Sequence, residues 1–444
     1  MKKSIFISLM LFIGAAYLFG QMPVVKTPEP SKISPIIVGG NNYSNPNQRS
    51  NIPNFPHTPN PNNPMEMYEG DGMEVERRNM EMQQMMFEQE AFGNTAPSDF
   101  PSLMGLPDTE YYQEAKEILV GMLNGTIPLN LKDAIFLVEN AYFGGRLDYK
   151  QYKKAIQNMA RIAEQKSFED GYNWKDPLTK NLMLFRVMSD TLSIRNPMQE
   201  NYVTSYPMEY DFEDYWAKED FSNFFVTKLL ATHTGQCHSM PLLYLILCEE
   251  TGGEASLAFA PAHCYVKFED KSGNWHNLEL TRGWITSDAF IIASGYITAE
   301  AIKNGVYMAP QTKEQTIAHC LSDLAYGYGR KYGCDPFVKE CLDIALQYAP
   351  YNYSALRNKA NYQTYFFDYA AKLAGRPPIE SIKETHPHLY ELREERNKTY
   401  QLIDNIGLND MPKELYDKWL HSLDEEIEQY KLKEKSHPVI RLLK

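Results

Sequence analysis

The segment Gly235-Gln236-Cys237-His238-Ser239-Met240-Pro241 constrains the fold more than any other. Pro241 is tolerated in a helix only in the first turn, where its missing N–H has no partner to lose, so a helix must begin beside Cys237. Leu242, Leu243, Leu245, Ile246 and Leu247 leave that helix almost no polar face, which predicts a buried helix, and Gly252-Gly253 ends it. Beyond it the period changes, with strand-like runs at 254–260, 262–268 and 275–281. A buried helix leading into antiparallel strands is an α+β arrangement.

The strand phases place particular side chains together. In 262–268, Ala262, Cys264, Val266 and Phe268 form an apolar face, whereas His263, Tyr265 and Lys267 point the other way, away from the core. In 275–281, Leu278 and Leu280 are on the apolar side, and Trp275, Asn277, Glu279 and Thr281 oppose them. A three-residue loop centred on Lys271 would put His263 directly across from Glu279, and centring it one residue later makes them diagonal. Either register keeps both on one face, roughly 5 Å or about 7–8 Å apart, within reach of a hydrogen bond. Cys237, at the helix start, sits among backbone N–H groups that favour a thiolate and can hold a developing oxyanion.

The flanks are of other kinds. Lys2 and Lys3 precede a short apolar run ending at Phe19, and Gly20-Gln21 follows, the pattern of a signal peptide over 1–20. Export to the periplasm or the extracellular space is therefore expected, without stable membrane insertion. Residues 21–95 are expected to be a disordered Pro/Asn-rich tether carrying a Met/Glu-rich helix, and 96–200 a helical lead-in with helices near 108–122, 131–143, 149–163 and 177–191. The net charge of −13, with no basic stripe, argues against nucleic acid as a partner. All six cysteines lie between Cys237 and Cys341, a poor disulfide framework. Cys248 and Cys264 should be buried thiols, and only Cys334 is a candidate for pairing, with Cys320 or Cys341.

Gly-Gln-Cys at a helix start, a strand histidine after a helix and a strand, and Trp275-His276-Asn277-Leu278-Glu279-Leu280-Thr281 together resemble the transglutaminase-like, papain-related superfamily over roughly 202–297. The resemblance implies a transglutaminase-like domain, here 201–310, flanked by helical regions. It implies Cys237 as nucleophile, His263 as the base that later protonates the leaving group, and Glu279, where the family usually has aspartate, as the residue that orients the imidazole. The activity implied is a cysteine hydrolase or acyl-transferase working on an amide bond of a protein or peptide-like substrate through a Cys237 thioester, with no cofactor. Gln236 is the candidate second oxyanion donor beside the Cys237 N–H, and Trp216 a candidate cleft residue. Zinc is the rival use of His233, Cys237, His238 and His263, but no Cys-x-x-Cys pair or His-Glu-x-x-His helix is present, and no metal is expected. His233 and His238 read as loop and helix-surface residues, and His319 and Cys320 as structural.

Downstream, 311–375 resembles a tetratricopeptide helix pair, with Ala345 five positions before Pro350, and 376–444 is expected to be helical, ending in a helix from Asp410. These helices are the candidate site for a protein partner. The competing functional class is a non-catalytic secreted binding protein that keeps a degenerate site.

Overall fold

Residues 99–196, 201–214 and 217–408 are described by the computed structural model. The expected leader, the tether with its Met/Glu-rich helix, Trp216 and the helix from Asp410 lie outside them. Helix α1 (Thr109–Leu123) opens the described fold. Asn130, Asp148 and Asp176 then each turn a side-chain oxygen onto backbone N–H groups of the following turn, and these caps start α2 (Leu131–Tyr142), α3 (Tyr149–Glu169) and α4 (Pro177–Ser189). One part of the lead-in departs from expectation. After α4 the chain forms a hairpin, β1 (Leu192–Asn196) paired antiparallel with β2 (Asn201–Ser205), in place of continuous helix. Leu192 and Ile194 are buried two residues apart, a strand period too brief to stand out in the sequence.

A two-residue strand, β3 (Glu209–Tyr210), lies parallel to β4 (Thr234–Gly235), and the short α5 (Val226–Thr232) falls between them. Glu139 of α2 caps α5 from outside, accepting the N–H groups of Val226 at 2.7 Å and Thr227 at 2.8 Å. Burial pushes that carboxyl up to about 7 despite those bonds.

The apolar helix foreseen at Pro241 is α6 (Ser239–Thr251), and it ends on Gly252 at φ 64°, a left-handed cap that suits glycine. Helices α2, α3, α4 and α5 surround it, which is why it needs no polar face. It also packs on β5 (Ser256–Ala260) and β6 (His263–Glu269), which continue into β7 (Trp275–Glu279) and β8 (Trp284–Thr286) as one antiparallel sheet in chain order. The chain is thus a mixture of helix and sheet, α+β.

Two short helices, α7 (Asp288–Gly295) and α8 (Ala299–Lys303), follow the sheet. The long helices α9 (Lys313–Tyr332), α10 (Pro336–Tyr348) and α11 (Tyr353–Leu373), the four-residue α12 (Ile382–Thr385) and α13 (Pro387–Asn405) complete the described fold. α9 packs back on α1 and α2, so the downstream helices and the lead-in share one core. All six cysteines are free. Cys248 and Cys264 are buried, and Cys334 pairs with neither Cys320 nor Cys341, each of which is enclosed within its own helix's packing. No described helix is long and apolar enough to cross a membrane.

Candidate active site at the start of the buried helix

Gly235 brings the chain into the site through a space that excludes a side chain. A Cβ there would lie 2.7 Å from Ser239 Oγ and 2.9 Å from Leu229 Cδ1. Ser239 Oγ accepts the Gln236 N–H at 3.0 Å, closing the turn that carries Cys237. The helix starts two residues later than the sulfur, at Ser239, so Cys237 precedes the first turn and does not belong to it.

From the sheet side, the β6–β7 hairpin takes the diagonal register. Glu269 pairs with Trp275 around a loop centred on Ser272, where Asp270 accepts the N–H groups of Ser272 and Asn274 at 2.8 and 3.0 Å. His263 Nε2 donates to Glu279 Oε2 at 2.5 Å, and Thr281 holds the other carboxylate oxygen through its hydroxyl at 2.7 Å and its N–H at 3.2 Å. Glutamate's extra methylene is absorbed by the diagonal offset. Ala262, just before the histidine, has φ 55°, a conformation that disfavours any residue with a Cβ.

Burial works against charge on the imidazole, but Glu279 and then Cys237 outweigh it, and the His263 pKa is pushed up to about 10. Burial likewise opposes ionisation of Glu279, yet the facing His263 holds its pKa below the usual carboxylate range. Both shifts favour an imidazolium facing a carboxylate. His263 Nδ1 has no hydrogen-bond partner, although the Cys237 sulfur is close enough to act on the ring.

The three residues are buried, against the expectation of an outward-looking face. Cys237 is 0% exposed, His263 1% and Glu279 7%, so the face expected to look outward is covered. Farther along the same face, Asp288 at the start of α7 is tied to Lys267 of β6 at 3.3 Å and to Asn277 of β7 at 2.7 Å. Gln236 is also differently employed. Its side-chain amide donates to the carbonyls of Asp211 at 3.4 Å and Asp214 at 3.2 Å, which ties an acidic loop to the site and leaves no donor for an oxyanion in this state.

His238 is no helix-surface residue: it is 7% exposed and turned toward α9. Its Nδ1 donates to the Phe224 carbonyl at 3.0 Å and its Nε2 to Asp323 at 3.1 Å. Burial opposes the charge, but Asp323 raises the His238 pKa above its ordinary value. No local signal could have found this contact, because Asp323 lies 85 positions away.

His238, His319 and Asp323 also offer ligand atoms within 4.8 Å of one another, a spacing a metal ion could use. The tautomers do not fit. Asn352 Oδ1 accepts the Ala355 N–H at 2.9 Å, so its Nδ2 must be the group 3.2 Å from His319 Nδ1, which places the His319 proton on Nε2. That proton leaves His319 Nε2 no lone pair to offer a cation, so the cluster lacks one of its three ligands. The earlier zinc grouping fails separately, since His263 and His238 are committed to different carboxylates. His319 and Cys320 are fully enclosed.

No family model and no curated protein matches this chain. Among solved structures it is similar to a crystal structure of menin described as revealing the binding site for the Mixed Lineage Leukemia (MLL) protein, at 13% identity over 70% of each chain with a TM-score of 0.36. A likeness that weak carries no argument about what this chain does.

Proposed function

We propose that the chain is an exported cysteine hydrolase or acyl-transferase of the transglutaminase-like kind, acting on an amide bond of a protein or peptide-like substrate. The observation that carries this reading is the imidazole of His263, held by Glu279 at 2.5 Å through Nε2 while Nδ1 has no hydrogen-bond partner and Cys237 acts on the ring. An imidazolium steered in this way is the counter-ion a thiolate requires.

In the proposed reaction Cys237 Sγ attacks the substrate carbonyl carbon and the carbonyl oxygen becomes an oxyanion near the Cys237 N–H. The C–N bond breaks as His263 gives its proton to the departing amine, leaving a thioester. Water, or an amine in the transferase case, then loses a proton to His263 and attacks the thioester. That step releases the acyl product and restores the thiolate beside the imidazolium. Because the triad is enclosed, substrate must displace part of its cover, and the tie from Gln236 to the 211–214 loop is one contact that opening would release. Gln236 would then recover its donors for the oxyanion.

The test is to expose the full-length protein to a library of peptide substrates and look for an acyl adduct on Cys237 by mass spectrometry. An adduct that disappears in Cys237→Ser supports the reading, whereas an unmodified Cys237 across the library counts against it.

The enclosed sulfur favours a second reading, a non-catalytic binding protein that uses its downstream helices to hold a partner. Under that reading Cys237→Ser keeps full partner binding and full phenotype. Loss of phenotype with folding and binding intact would exclude it.

A further inference from the structure

The sheet face that bears His263 and Glu279 continues as a strip of polar side chains. Ala260 is paired with His263, Ala258 with Tyr265, and Ser256 with Lys267 on one side, while Lys267 is paired with Asn277 and Asn277 with Thr286 on the other. Extending the β6–β7 register places Tyr265 opposite Glu279. Tyr265 and Asn277 are 1% and 2% exposed, yet Tyr265 Oη and Asn277 Oδ1 have no hydrogen-bond partner. Buried polar atoms are rarely left so, because each forfeits its bonds to water.

The orientation of the asparagine is fixed. Its Nδ2 donates to Asp288 at 2.7 Å and to the Thr286 carbonyl of β8 at 3.4 Å, and the second bond, which does not depend on α7, leaves Oδ1 as an acceptor in need of a donor. Tyr265 adds a hydroxyl that can donate. The start of α7 is held to this strip by Asp288, which bonds Asn277 and Lys267 and is 56% exposed in its side chain, while Ile291 and Ser294 of the same helix are buried and Ile292 is exposed.

We propose that this strip is a subsite for the main chain of an extended peptide, with Asn277 Oδ1 accepting a peptide N–H and Tyr265 Oη donating to a peptide carbonyl once α7 lifts from the sheet. Asn277 lies two residues from Glu279 along β7, roughly 6.8 Å, which is also the repeat between like-facing amides of an extended chain. A peptide that seats one amide on Asn277 and Tyr265 therefore carries its next like-facing amide to the His263 end of the strip. The inference deepens the cysteine-enzyme reading and rests on it, and it names the substrate's backbone as the recognised group.

The experiment compares two reagents on the full-length protein. One is an N-acetylated trialanyl chloromethyl ketone, which presents a peptide backbone, and the other is methyl methanethiosulfonate, which presents none. Rates of Cys237 modification are followed by mass spectrometry and expressed as the ratio of the two reagents, normalised to free cysteine. The wild-type ratio is expected to exceed unity by at least tenfold, and Tyr265→Phe to lower it about tenfold, the loss of one buried hydrogen bond. Tyr265→Phe should melt no lower than wild type, because the hydroxyl it removes bonds to nothing in the folded chain. A normalised ratio near one in wild type, or a ratio unmoved by Tyr265→Phe, overturns the subsite and leaves the cysteine reading standing. So does a marked fall in melting temperature, which would show that the hydroxyl is bonded within the protein. If neither reagent modifies Cys237 in the wild type, the cysteine reading fails and this inference with it.

Discussion

Two buried imidazole–carboxylate pairs neighbour Cys237, one through the next residue in the chain and one through the sheet, and they are bonded in different ways. His238 spends both ring nitrogens, on the Phe224 carbonyl and on Asp323, whereas His263 spends Nε2 on Glu279 and keeps Nδ1 without a hydrogen bond beside the sulfur. Both are buried and both titrate above the ordinary histidine range. A histidine bonded at both nitrogens is a strut, since taking or giving a proton breaks one of its contacts. A histidine with one nitrogen uncommitted can exchange a proton with a neighbour. The two pairs also join different parts of the fold, with Asp323 tying α9 to the helix start and Glu279 tying β7 to β6.

The strongest way to break the comparison is to remove the strut. Asp323→Ala removes the acceptor of His238 Nε2, so burial drives the ring toward its neutral form and leaves that nitrogen unsatisfied in the interior, and the expected cost is about 3 kcal/mol of folding stability, read by urea unfolding. The folded fraction should still show a Cys237 that reacts faster than the other thiols. If Asp323→Ala instead spared stability and silenced Cys237, the two pairs would have exchanged roles.

A change at the other pair sharpens the contrast through pH. The folded-state pKa of His263, about 10, exceeds the unfolded value near 6.5, so the stability it contributes is complete below about pH 6.5 and is lost as pH rises through 10. Wild-type stability should therefore decline from pH 7 to 10, by an amount on the order of a few kcal/mol. Glu279→Gln removes the charge that raises the imidazole, and its stability should be nearly flat over the same interval. Thermal melts at each pH check this, and parallel wild-type and mutant curves would contradict it.

The smallest effect concerns backbone strain, which sits beside only one of the pairs. Ala262 precedes His263 at φ 55°, while His238 has an ordinary φ of −87°. Ala262→Gly should relieve that strain against the glycine's greater unfolded entropy, raising stability by no more than about 1 kcal/mol. Loss of stability in that variant would show that the methyl group packs and that the strain is not real.

The parts of this arrangement written in the sequence are those set by local rules. Pro241 and the run of leucines specified a buried helix, and Gly252 its end. The alternation of 262–268 and 275–281 put His263 and Glu279 on one face, with the diagonal offset among the registers it allowed. What escaped depends on contacts between distant segments. Asp288-Ala289-Phe290-Ile291-Ile292-Ala293 has no amphipathic period to announce a helix whose first residue is held to the polar sheet face. The two-residue strands β3 and β4 exist only because the 209–210 segment meets 234–235, and Glu139 caps a helix 87 positions away. The place of Gln236 beside Cys237 is legible, but its engagement with Asp211 and Asp214 is not, since both acceptors are backbone carbonyls of a loop.

The reactivity of Cys237 relative to Cys248 bears most directly on whether the first pair governs a nucleophile. Cys248, within the helix that Cys237 precedes, is a built-in control, its thiol pushed up to about 12 by burial. With iodoacetamide on the native protein, Cys237 should be alkylated at least a hundredfold faster than Cys248, and His263→Ala should bring the two rates together. Equal rates in the wild type, or a fast Cys237 indifferent to the loss of His263, would contradict the assignment.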